Sequence, residues 1–290
     1  MLKDADAAYR TISVAPQPSG FGAVITDVDL SKPVPEATMA EIRTAFARHS
    51  VVSFPDQPLS LDALEAFTLQ MGPFGDDPYV APMAGHPNVL EVRRNADEKA
   101  SNFGAGWHSD WSFQAAPPMA TLLRSQVVPP VGGDTLWADC SRAYEALSPT
   151  MQTMLAPLQA IHSAGRAYGP KGSFAKETAA RSMNILVSET ADATRTHPLV
   201  RTHPETGRKA LFVSPVYTVG IEGLEPKEAA VILSFLFAHI TQDAFIYRHK
   251  WAPDMLTMWD NRCTIHLAEG GYDGHLRVMH RTTVAGTVPV

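Results

Sequence analysis

Only two cysteines, Cys140 and Cys263, stand among 290 residues. Neither a disulfide framework nor a four-thiolate zinc site is within reach, and the composition fits a reducing compartment. No apolar run approaches the roughly 20 residues of a membrane span. The opening residues carry Lys3, Asp4, Asp6 and Arg10 and lack an apolar core of signal-peptide length, so a cytoplasmic location is expected. Positive charge is scarce too. Twenty-four Lys and Arg face 30 Asp and Glu, for a net charge of −6, which argues against a nucleic acid or a membrane surface as partner. Any anionic ligand must be met locally. No Gly-x-Gly-x-x-Gly opens a helix, no Lys-Ser/Thr pair follows a glycine-rich loop, and no Gly-x-Ser-x-Gly elbow is present. The usual supports for dinucleotide, nucleotide-phosphate and serine-hydrolase chemistry are therefore missing. Internal repeats and composition shifts are absent as well, so residues 1–290 are expected to form one domain.

What the chain does have is apolar material, 45% of its residues against 19% charged, enough for a chain of this size to bury a full core. Met39, Ile42, Ala45 and Phe46 recur at helical spacing and predict a helix over 36–49; a second is expected over 61–70. Pro226 tolerates a first helical turn, and Ala229, Leu233, Leu236, Phe237 and Ile240 mark one apolar face of a third. Short strand-like runs lie at 51–54, 89–92, 120–123, 135–138, 245–247, 255–259 and 276–284. Between them run a Pro- and Gly-crowded loop at 73–87 and a Gly- and Lys-rich stretch at 165–180, read as a lid or surface excursion. The expected class is mainly β with flanking helices, a sandwich or a barrel.

Eleven histidines need sorting. In Trp107-His108-Ser109-Asp110 a histidine and a carboxylate lie two residues apart, so on an extended chain they share a face and can reach one divalent ion. His266, close behind the run Trp259-Asp260-Asn261-Arg262, is the candidate third ligand. Two histidines and one carboxylate leave three octahedral positions open, the arrangement of non-haem iron(II) oxygenases, whereas zinc hydrolases more often close to four ligands. Arg277 and Arg281 are four residues apart, about 13 Å along one strand face. Two such guanidiniums suit two carboxylate-bearing ligands; a solvated strand face is the plainer alternative. Gly132-Gly133-Asp134-Thr135 reads by itself as a hairpin turn.

Taken together, Trp107-His108-Ser109-Asp110, Gly132 through Trp137, Trp259-Asp260-Asn261-Arg262 ending in His266, and Arg277 with Arg281 resemble the taurine and 2,4-D dioxygenase (TauD/TfdA) family. The likeness continues through Phe21-Gly22-Ala23, Tyr144 to Ser148, His197 to Val200 and Phe235 to His239, and so spans nearly the whole chain. It implies a double-stranded β-helix, or jelly roll, with iron(II) held by His108, Asp110 and His266. It also implies 2-oxoglutarate held at its distal carboxylate by Thr135 and Arg277, O2 as oxidant, and a prime substrate whose anionic group meets Arg281. The implied reaction hydroxylates a small anionic substrate next to a heteroatom, releasing succinate and CO2, after which the product fragments. Taurine-specific members carry a histidine in the loop that here reads Gly75-Asp76-Asp77-Pro78-Tyr79-Val80. Ile161 to Ala164, Tyr168-Gly169 and Ile221-Glu222-Gly223 look instead like members that act on (R)-aryloxypropionates. An aryloxyalkanoate, a sulfonate or an alkyl sulfate is therefore expected, in a pocket with Tyr79 and Phe103 and aromatic surface from Trp111, Phe113 and Tyr168. A zinc hydrolase on the same three ligands and a non-catalytic 2-oxoglutarate-binding protein are the alternatives. Homo-oligomer formation is left open.

Overall fold

The computed structural model describes residues 9–177 and 181–290. Lys3, Asp4 and Asp6, and the last three residues of the 165–180 excursion, lie outside that set. Seven strands build the larger sheet: β1 (Ser13–Pro16), β2 (Ala23–Thr26), β3 (Val51–Phe54), β4 (Leu90–Arg94), β5 (Ala120–Val127), β13 (Leu256–Asp260) and β15 (Arg277–Val284). Their order is β1-β2-β3-β13-β5-β15-β4, antiparallel except for the pair β2 and β3. A smaller sheet has β6 (Thr135–Asp139) between β12 (Ile246–His249) and β14 (Thr264–Ala268). Further strands, β7 (Gln159–Ser163), β8 (Thr194–Pro198), β9 (Val200–Thr202), β10 (Lys209–Leu211) and β11 (Thr218–Ile221), form a three-stranded and a two-stranded sheet.

Period-two alternation tells which side of the larger sheet each residue takes. Ala120, Leu122, Leu256, Met258 and Val284 join one apolar cluster with Met39, Ile42 and Phe46 of α1 (Glu36–His49) and Leu64 and Phe67 of α2 (Leu61–Met71). The alternate residues Leu123, Trp259 and Met279 face inward and share a second cluster with Trp137 of β6. Trp137 and Trp259 meet across the sheets with ring centroids 5.5 Å apart. Both faces of β15 are thus covered, which is why all eight of its residues are buried. Helices clothe the outside, and the short α3 (Cys140–Glu145) and α4 (Pro149–Leu155) follow β6 along the chain. Ser60 caps α2 by accepting from the Ala63 amide, and α6 (Pro226–Ile240) brings Ala229, Leu233, Leu236 and Ile240 into one apolar cluster with Ala138 and Ile265 of the smaller sheet. The jelly roll expected from the sequence is the observed core.

Three expectations change. Strand β5 and strand β6 are not paired, so Gly132 to Thr135 is a crossing between sheets rather than a hairpin turn. Gly132 takes φ +67° there, and a Cβ on it would lie 2.6 Å from the Gly271 backbone, a close approach that only glycine allows. The 245–247 strand begins one residue late, because Asp243–Phe245 closes a 3-10 turn first. The excursion at 165–180 is only partly a surface feature: Ala167 and Tyr168 of the short helix α5 (Gly165–Tyr168) are buried in an aromatic cluster.

Candidate active site

His108 and His266 are joined by an isolated antiparallel bridge, with the His108 amide donating to the His266 carbonyl at 2.9 Å and the reverse bond at 2.7 Å. Directly opposed residues bring side chains together on one face, and the two imidazole centroids are 4.1 Å apart. Asp110 sits in the turn that follows. Its Oδ1 lies 3.5 Å from His108 Nε2 and 4.0 Å from His266 Nε2, and all three side chains are buried. His108 Nδ1 is 2.7 Å from the Gly106 carbonyl; a carbonyl can only accept, so this nitrogen donates and Nε2 is the one left to face a metal. Burial by itself would raise the Asp110 carboxyl, but Arg281, then His266 and His108, outweigh it and hold it well below the usual carboxylate range. Burial and the neighbouring His108 push His266 down to about 3, so its imidazole is neutral. Two imidazole nitrogens and one carboxylate oxygen therefore converge, a donor set suited to a divalent ion.

Beside this trio a cavity of about 40 Å³ is lined by Thr135, Arg277, Arg281, Leu123, Trp259 and Phe103. Arg277 is buried and makes no ion pair with any described residue, its Nε lacking a partner. Its guanidinium lies 6.0 Å from the Trp251 ring and 5.9 Å from the Tyr272 ring. A buried, uncompensated guanidinium is costly, and burial duly lowers the Arg277 pKa from its ordinary value; an anion from outside the chain would relieve that cost. Trp251 Nε1 donates to Thr135 Oγ1 at 3.0 Å, which leaves the threonine hydroxyl proton for another acceptor.

Arg281, on the same strand face, is differently placed. Its Nη2 lies 3.2 Å from Asp110 Oδ1 and 3.5 Å from Asp77 Oδ1, and its guanidinium sits 5.1 Å over the Trp111 ring. Asp77 in turn accepts from Trp111 Nε1 at 2.5 Å and from Thr283 Oγ1 at 3.0 Å. Trp111 takes φ +48°, a conformation uncommon outside glycine.

A second cavity, of about 130 Å³, also borders His108 and is lined by Phe103, Tyr168, Phe174, Val216 and Tyr217. Phe103 stacks on Phe174 at 5.7 Å. Tyr79 is not among the residues around this cavity. Its ring stacks on Tyr168 at 4.9 Å and packs on Trp111 and Phe113, so it backs the cavity wall and faces an outer groove instead. Trp111 and Phe113 are likewise packed in that aromatic cluster. Phe174, Val216 and Tyr217 carry no sequence signal that marks them as lining residues, and Asp77 and Trp251 none that ties them to either arginine.

A second buried group, His203, Asp260 and Cys263, also gathers metal-ligating side chains. Asp260, however, accepts from Arg262 through both oxygens and meets His203 Nε2 at 3.0 Å, so its lone pairs are engaged as a structural ion network.

Comparison with known proteins agrees along almost the entire chain. Residues 13–283 match the family described as Taurine catabolism dioxygenase TauD, TfdA family. The chain is 32% identical over 280 residues to the (S)-phenoxypropionate/alpha-ketoglutarate-dioxygenase of Sphingobium herbicidovorans, covering 94% of each. It is 31% identical over 281 residues to the alpha-ketoglutarate-dependent sulfate ester dioxygenase of Pseudomonas putida, covering 96% of this chain and 91% of that one. The crystal structure of a taurine dioxygenase from Burkholderia xenovorans superposes with a TM-score of 0.81 at 33% identity, over 97% of this chain and 91% of the other.

Proposed function

The chain belongs to the TauD/TfdA family and is an alpha-ketoglutarate-dependent dioxygenase, and we propose that within this family it hydroxylates a small anion bearing an aryl or long alkyl tail. The observation that carries this reading is the pairing of a two-histidine, one-carboxylate trio with two buried arginines on one strand face and an aromatic cavity next to His108. The trio fits iron(II): Nε2 of His108 and Nε2 of His266 lie 3.5 Å and 4.0 Å from Asp110 Oδ1, and Arg281 beside that oxygen favours the ionised carboxylate. When bound, iron(II) with 2-oxoglutarate and O2 supplies the oxidising power for C–H hydroxylation and the release of succinate and CO2.

The remaining work falls to the chain. In this reading Arg277 and Thr135 receive the distal carboxylate of 2-oxoglutarate, with Trp251 turning the threonine hydroxyl outward. Arg281 meets the anionic group of the prime substrate and fixes which carbon lies nearest the metal, where a 1 Å error is costly. The cavity of about 130 Å³ is close to the ~150 Å³ apolar cavity that accepts benzene, so Phe103, Phe174, Tyr168 and Tyr217 have room for about one ring. Burial of that ring contributes roughly 25 cal/mol per Å² of apolar area and excludes water from the reacting carbon. Hydroxylation next to an ether or ester oxygen, or next to sulfur, leaves a carbon that collapses to a carbonyl and expels phenol, sulfate or sulfite.

Anaerobic addition of iron(II) and 2-oxoglutarate should produce a visible charge-transfer band, and O2 should then yield succinate. In a panel of both phenoxypropionate enantiomers, alkyl sulfates, alkyl sulfonates and taurine, an aryloxy or long-tailed member should stimulate succinate formation most. Taurine as the best substrate would overturn the reading of the aromatic cavity.

A further inference from the structure

In the motif Trp259-Asp260-Asn261-Arg262, Asp260 and Arg262 belong to the structural ion network, which leaves Asn261 without an assigned task. Asn261 is buried at 1% exposure, immediately after β13, and its side-chain amide reaches the Asp110 backbone and the Thr121 hydroxyl. The Asp110 backbone N–H donates to Asn261 Oδ1 at 3.4 Å, which turns Nδ2 the other way, and Nδ2 donates to Thr121 Oγ1 at 2.9 Å. With that lone pair occupied, the Thr121 hydroxyl directs its single proton to Asp110 Oδ2, at 2.7 Å. The Ser109 hydroxyl donates to the Asn261 carbonyl at 2.9 Å, so the segment before Asp110 is pinned to the same residue. Thr121 itself is fully buried on β5, between Trp259 and Thr283 of its neighbouring strands.

Each proton in this chain has one direction, and the chain ends on only one oxygen of the carboxylate. Oδ1, the other oxygen, is the one facing both imidazoles and Arg281. We infer that Thr121 and Asn261 are positioning residues that hold Asp110 by Oδ2, so that it offers a metal one oxygen and not two. The consequence is chemical. A carboxylate that chelates through both oxygens would occupy a position that 2-oxoglutarate or O2 needs, whereas a one-oxygen grip leaves three octahedral positions open. This inference rests on the metal assignment under the proposed function.

The test uses metal-stripped full-length protein titrated with Co(II), followed by its visible d–d absorption and without any turnover. Thr121→Val keeps the shape and removes the hydroxyl. It should weaken Co(II) binding by about 10–100-fold, the usual range for a lost partner of a metal ligand, and should change the d–d band shape as the second oxygen moves in. Thr121→Ser restores the hydroxyl and should keep both the affinity and the spectrum of the wild type. Asn261→Ala frees the hydroxyl rotor and should lie between the two. A folded Thr121→Val protein with unchanged affinity and spectrum would overturn the inference. If Thr121→Val does not fold, the serine variant decides: loss of affinity or a changed spectrum in Thr121→Ser counts against the hydroxyl as the determinant. Failure of the wild type to bind Co(II) would defeat the metal assignment itself, a distinguishable outcome.

Discussion

At the scale of single residues the two arginines of β15 show how identical side chains on one face acquire different work. Arg277 has no anionic partner among the described residues, whereas Arg281 is already flanked by Asp77 and Asp110. Arg277→Ala should therefore raise the 2-oxoglutarate requirement steeply, a loss on the order of 2–5 kcal/mol for a bidentate contact in a water-poor site. Arg281→Ala should leave anaerobic 2-oxoglutarate binding nearly unchanged and weaken the coupling of prime substrate to succinate formation. Measuring the charge-transfer band and the succinate yield separately resolves the two; equal damage to both ligands from either change would defeat this division. Asp110→Ala removes the only anionic ligand of the trio and should abolish metal binding, read by Co(II) titration, while circular dichroism stays native. Metal retained at wild-type affinity would mean that Asp110 is not a ligand.

Elements matter where two of them touch through backbone alone. The crossing from β5 to β6 passes so close to Gly271 that a side chain at Gly132 has no room, and the left-handed backbone there would cost a non-glycine residue about 1–2 kcal/mol before any clash. Thr135, three residues on, begins β6 and accepts from Trp251. Gly132→Ala should thus lower the thermal midpoint and weaken 2-oxoglutarate binding together, as measured by thermal melts and anaerobic titration. A variant that melts like the wild type but binds 2-oxoglutarate poorly would show that the crossing acts on the ligand directly rather than through packing. The lining of the aromatic cavity depends in the same way on distant elements. Tyr168 ends α5, Phe174 opens a 3-10 turn, and Tyr217 precedes β11; only the folded chain sets them around His108.

For the whole molecule the buried histidines set an acid limit. Burial pushes His162 down to about 3 and His249 down to about 4 from an ordinary 6.5, and it lowers His49 and His197 as well. Between the folded and unfolded values the unfolded chain binds more protons, so stability is fully present above 6.5 and falls as the pH drops, by about 1.4 kcal/mol per pH unit for each such histidine. Asp77 and Asp139, raised by burial, act in the opposite sense above their ordinary 3.8. Asp260, held low against its own burial by Arg262, begins to lose its contribution only below its ordinary 3.8. The midpoint of thermal unfolding should therefore fall steadily from about pH 6.5 toward about pH 5, and His249→Gln should flatten that slope by roughly one proton's share. A pH-independent midpoint over this range would contradict the neutral, buried state of these rings. Much of the molecule was legible in its residues alone: α1, α2, α6 and most strands follow from apolar spacing, and Arg277 and Arg281 share a face because a strand repeats every two residues. The ligand types of the trio were legible for the same reason, since His108 and Asp110 are near neighbours and imidazole and carboxylate are metal donors wherever they stand. Tertiary structure alone decided that His108 faces His266, that Tyr79 backs the cavity rather than lining it, and that Thr121, Asn261, Asp77 and Trp251 lie in hydrogen-bonding reach of the site's residues. Periodicity says which face a side chain takes but not what that face meets, and those contacts exist only once the two sheets have closed on each other.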